Sequence, residues 1–124
     1  MPSLRVSELF VYPVKSARGI ALTEAIVGDR GIEHDRRFMI VDADGRFLTQ
    51  REHPTLALLE TRIHDDTLTL HAPQHGTLDV PLRPTEGSPR QVKVWRSTCE
   101  AIVASEASAP FFSDLLGTAA ELVY

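Results

Sequence analysis

The chain has 124 residues, a formal charge of -4 and 43% apolar residues, enough for one domain to bury a core without disulfides or a metal, and a composition that excludes disorder. The acidic balance argues against a nucleic-acid binder and leaves any anion site local. A lone cysteine, Cys99, excludes an internal disulfide, and no apolar run approaches ~20 residues, so a soluble, cytoplasmic protein with no membrane span is expected.

Leu4, Val6, Phe10 and Tyr12 share one parity and Leu9 and Val11 the other, which predicts a first strand buried on both faces near its end. The stretch "ALTEAIV" (21–27) is a second candidate, closed by "GDRG" (28–31), whose glycines permit the positive φ of a tight turn. Next, "RRFMIV" (36–41) and "RFLTQ" (46–50) flank Asp44-Gly45 and read as a hairpin. The runs "LALLETRI" (56–63), "DTLTLHA" (66–72), "GTLDVPL" (76–82), "QVKVW" (91–95) and "CEAIVA" (99–104) continue the short-strand pattern. "HDD" forms a turn before "TLTL", and "PLRPTEGSP" (81–89) is an exposed loop because prolines cannot sit in a central strand.

Toward the C-terminus, Ser108 can cap a helix, Pro110 fits its first turn and Gly117 can end it in a left-handed conformation. Phe111 with Leu115, and Phe112 with Leu116, would share a face, and "AELVY" (120–124) is a last apolar strand. The fold class is therefore mainly β: a small closed or partly open β-barrel with a short C-terminal helix packed on it, in a single domain over 1–124. An apolar strand at the end, without a polar fade, points to a further domain downstream.

Three cationic segments could carry chemistry. In "PVKSARG", Lys15 and Ser16 follow a strand end and offer an ammonium and a hydroxyl to a phosphate; a solvated loop is the alternative. In "EHDRRF", the period of two sends Arg36 and Arg37 to opposite faces, so one at most joins Lys15, with Asp35 to orient it. That arginine could equally be a weak surface ion pair. In "LTQRE", Thr49, Gln50 and Arg51 could line the same opening, or be merely solvated.

The histidines do not make a metal set: His71 and His75 are separated by Pro73 in a strand-and-turn context, and His34, His53 and His64 show no partner spacing with Cys99. Cys99 reads as a small buried hydrophobe, with no histidine near in sequence to act as its base. No general base sits beside a nucleophile, so catalysis by this chain alone is not expected.

The order "LFVYPVKSARG", "DRG", "HDRRFMIVDADGRFLTQRE", then "VKVW" and "FFSDLLG…ELVY", resembles the N-terminal β-barrel domain of proteins carrying a molybdenum-cofactor sulfurase C-terminal (MOSC) domain. That family includes the mitochondrial amidoxime-reducing component and related bacterial iron–sulfur proteins. It departs at "ASEASAPFF", where the family often has Asp-x-Gly and a helix tryptophan. The resemblance implies a molybdenum cofactor (molybdopterin) held between this barrel and a MOSC domain in cis or in trans, which supplies the cysteine that ligates molybdenum. It further implies that Lys15, Ser16 and Arg36 contact the cofactor, chiefly its phosphate, and that a redox partner protein exists. The expected role is the barrel half of an oxidoreductase, gripping the phosphate and covering the substrate entrance. A free-standing, non-enzymatic module that binds a protein or an anionic metabolite is the alternative.

Overall fold

The computed structural model describes residues 3–124. The chain runs through β1 (Leu9–Val11), β2 (Ile20–Leu22), β3 (Val27–Gly28), β4 (Gly31–Ile32) and β5 (Met39–Asp42), then a 3-10 helix at Pro54–Leu58. It continues with β6 (Glu60–His64), β7 (Thr67–Ala72), β8 (Gly76–Pro81), β9 (Pro89–Val94), β10 (Ser97–Ile102), α1 (Ser108–Leu116) and β11 (Ala120–Val123).

β5 and β11 form the central wall. Their apolar residues follow one another without alternation, a pattern that requires cover on both faces. The strands pair antiparallel, Ile40 opposite Leu122 and Met39 opposite Val123. Ile40 and Leu122 join the main core with Phe38, Leu48, Leu70 and Phe112, whereas Val41 and Val123 turn to a smaller cluster completed by Val92.

The meander β6-β7-β8 lies against the main core and does alternate. Leu68 faces Val80 and Leu70 faces Leu78 on the buried side, while Thr69 and Asp79 pair outside through a 2.6 Å hydrogen bond. On the other side of the wall, β9 and β10 form a hairpin. Single bridges, Val41 with Phe47, Arg46 with Lys93 and Val103 with Val123, link that hairpin to β5 and β11. The described strands thus make five small sheets joined by isolated bridges, a barrel-like arrangement without one continuous closed ladder.

Several expectations are corrected. Residues 4–8 pair with nothing, and Leu4 and Val6 are exposed. β2 is only three residues long, so β1 finds hydrogen-bond partners for Leu9–Val11 alone. Within β1 it is Val11 that is buried, while Phe10 is exposed. The 21–27 candidate divides, its start pairing with β1 and its end forming a tight β3-β4 hairpin. Residues 56–58 are 3-10 helix instead of strand, with Pro54 in the first turn where its missing N–H costs little.

Ser108 is no N-cap. It lies inside the helix, fully buried, and its Oγ accepts the Leu122 N–H at 3.1 Å, fastening β11 to α1. Gly117 ends the helix at φ 71, donating its N–H to the Ser113 carbonyl at 2.9 Å. Cys99 is exposed on β10 instead of buried. No helix among the described residues is long and apolar enough to cross a membrane.

Candidate functional site

The Lys15-Ser16 turn owes its position to its neighbours. Val14 and Ala17, both fully buried, pin it to the core. The Ala17 N–H closes the turn on the Val14 carbonyl at 3.1 Å, and Ser16 takes φ 71, a left-handed value at the third turn position. Lys15 and Ser16 are left pointing outward. The Lys15 N–H bonds the Phe38 carbonyl at 2.9 Å, and Gln50 Nε2 donates to the Ser16 carbonyl at 2.7 Å.

Two other segments meet this turn. After the Asp44-Gly45 turn the chain runs along β9: the Lys93 N–H bonds the Gly45 carbonyl at 2.8 Å, so Arg46 and Phe47 come to lie beside Lys93. The β9-β10 turn then brings Trp95 onto Phe47, edge to face, with centroids 5.1 Å apart. The Lys15 ammonium rests 3.9 Å from the Phe47 ring centroid and 5.6 Å from that of Trp95.

These segments enclose a cavity of about 550 Å³. Lys15, Arg46, Arg51 and Lys93 line it with Ser16, Thr49 and Gln50, against one carboxylate, Glu52. Among the described residues none of those four cations is in an ion pair. In an acidic protein this is a local positive pocket. A second cavity of about 510 Å³ is lined by as many carboxylates (Asp29, Glu33, Asp35) as cations (Arg30, Arg37, Arg83), with Arg83 in contact with Glu33 at 2.6 Å.

Of the residues expected from sequence, Lys15, Ser16 and Arg51 line one cavity, and Arg36 does not. Arg36 lies just outside it, its guanidinium 5.0 Å from the Tyr12 ring centroid and ion-paired with Asp35. Asp35 also accepts the Tyr12 N–H at 2.8 Å, so one carboxylate holds both the arginine and the strand end. The segment is not strand, since Arg36 takes φ 50, yet Arg37 still turns away, onto Tyr124 at 5.1 Å. Arg36 remains within electrical reach: burial first, then its positive charge, hold the Lys15 ammonium below the usual 10.5.

Sequence reasoning missed Arg46, Lys93 and the aromatic pair. The signal was a basic residue within two positions of an aromatic in both "GRF" and "VKVW", but only the non-local bridge between Arg46 and Lys93 brings them together. The assembled groups can bind an oxyanion through ammonium, hydroxyl and guanidinium donors. Among the described residues no cluster of three or more His, Cys, Asp or Glu is placed for a metal.

The chain is 30% identical to human mitochondrial amidoxime-reducing component 1 over 116 residues, 90% of this chain and 34% of that protein. It is 33% identical to the mouse protein of that name over 68% of this chain and 26% of the relative. With molybdenum cofactor sulfurase of Drosophila grimshawi the identity is 33%, over 77% of this chain and 13% of the relative. The chain therefore spans about a third or less of the curated relatives it matches. A solution structure of a Bordetella bronchiseptica protein superposes with a TM-score of 0.64 at 21% identity, covering 82% of this chain and 88% of that one, a likeness of fold. Residues 3–119 match the family described as the MOSC N-terminal beta barrel domain, and the chain belongs to it.

Proposed function

We propose that this chain is the barrel half of a molybdenum-cofactor-dependent oxidoreductase, and that its basic cavity grips the terminal phosphate of molybdopterin. The observation that carries the reading is the concentration of Lys15, Arg46, Arg51 and Lys93 around one cavity with a single opposing carboxylate. The donor set fits the anionic end of such a cofactor. Lys15 gives a compact charge, Ser16 a hydroxyl, and Arg51 a fork that matches two phosphate oxygens. Arg36 raises the local potential from just outside.

When bound, the cofactor supplies the redox chemistry, with its metal ligated from a MOSC domain in cis or in trans. This chain's residues anchor and orient the phosphate, and its rim covers the substrate entrance, where a redox partner protein would deliver electrons. The test is to express the chain joined to a MOSC domain and measure bound molybdopterin in wild type, Lys15→Ala, Arg36→Ala and Arg51→Ala. Loading should fall most for Lys15→Ala, by roughly tenfold for a lost charge-assisted contact, and least for Arg36→Ala. Equal loading in all four proteins would sink the assignment and favour a free-standing anion-binding module.

A further inference from the structure

Trp95 is the chain's only tryptophan, and it is placed where a tryptophan is costly. It is 77% exposed and takes φ 56 at the first position of the β9-β10 turn, where glycine is the usual occupant. Phe47 meets the indole edge to face at 5.1 Å and steadies it, while the high exposure leaves an open face. That face borders the cationic cavity, and the Lys15 ammonium is 5.6 Å from the indole centroid. An oxyanion on Lys15 therefore lies next to the ring, and a group one short linker away from that oxyanion lies over it.

We propose that Trp95 is a stacking platform for a planar heteroaromatic ring carried by the same ligand whose phosphate the cations hold. The cavity thereby selects phosphorylated heterocycles over bare phosphates and phosphorylated sugars. The proposal rests on the phosphate reading of the cavity and adds a second recognition element to it. Stacking is tolerant of ring identity, so both a pterin and a purine satisfy it, and the linker decides between them.

Calorimetric titration of the full chain tests it, using inorganic phosphate, ribose 5-phosphate, adenosine monophosphate and a pterin bearing a phosphomethyl group. The ring-bearing phosphates should bind about tenfold or more tighter than ribose 5-phosphate and quench the Trp95 fluorescence. A gain for the pterin alone identifies the ring as pterin, and a gain for both shows a general heterocycle platform. In Trp95→Leu the ring advantage should vanish while ribose 5-phosphate binds as before. Trp95→Phe, which keeps an aromatic face on Phe47, should retain part of it and covers the case in which the leucine variant does not fold. Equal affinity for ring-bearing and ring-free phosphates in wild type, or a ring advantage that survives in both variants, overturns the stacking role and leaves the phosphate site standing. Failure of every phosphate to bind refutes the phosphate site itself, and the platform with it.

Discussion

At Lys15 two influences oppose. The faces of Phe47 and Trp95 favour its ammonium, while burial and the Arg36 charge disfavour it, and the net direction is a pKa below 10.5. Between that lowered value and 10.5 the folded chain holds less of this proton than the unfolded chain, so this group's contribution to stability rises with pH across the window. An anion on Lys15 restores its proton affinity, so binding must weaken with pH through the same window. Phosphate affinity measured above pH ~8, where phosphate itself stays dianionic, should decline toward 10.5 in wild type and decline less steeply in Lys15→Arg, whose guanidinium does not titrate there while the cavity's other lysine is kept. Lys15, Ser16 and Arg51 were legible in sequence because a strand end and a hairpin end each shed polar residues at the rim. Arg46 and Lys93 were not, since strand alternation tells a side chain's face but never which distant strand lies beside it. Cys99 and Ser108 were misjudged for a related reason: composition averages say how often such residues are buried or capping, and the local packing decided otherwise.

The turn between β5 and the Arg46-Phe47 segment shows what a short element can carry. Gly45 takes φ 81, and a β-carbon there would lie 2.4 Å from the Gln91 carbonyl oxygen, a backbone atom that cannot move aside cheaply. Asp42 reinforces the turn, its Oδ1 accepting the N–H groups of Asp44 at 2.9 Å and Arg46 at 3.0 Å. Gly45→Ala should therefore cost about 2–4 kcal/mol, the sum of left-handed strain and overpacking, read as a lower urea midpoint. Because the Gly45 carbonyl holds the Lys93 N–H, phosphate affinity should fall as well. This turn and helix α1 were readable because Asp-Gly and a C-terminal glycine act locally, within a few residues. β1 was overextended because parity marks which side chains could be buried, and the strand's length depended on a partner only three residues long. The start of the 56–63 run was taken for strand because an apolar run fits either period, and Pro54 tipped it into a 3-10 turn.

Across the whole molecule, the wall of β5 and β11 is the part both clusters share. Leu122 is fully buried in it, so Leu122→Ala should remove about 2–5 kcal/mol, a large share of the ~5–15 kcal/mol available to a domain of this size, measured by thermal or urea unfolding. The mainly β class with one helix was legible from turn spacing, and 36–41 and 120–124 were both readable as strands. What the pattern could not give was their pairing with each other, since Ile40 and its partner Leu122 lie 82 positions apart. That separation has a temporal side. During synthesis, β5 is complete well before its mate exists, and its apolar surface waits with one edge unsatisfied for roughly 4–16 s while the intervening chain is made at ordinary elongation rates of roughly 5–20 residues per second. The β5-β11 ladder can thus close only once the last strand has been made, and until then the nascent segment around Ile40 is a bare strand edge of the kind that chaperones shield.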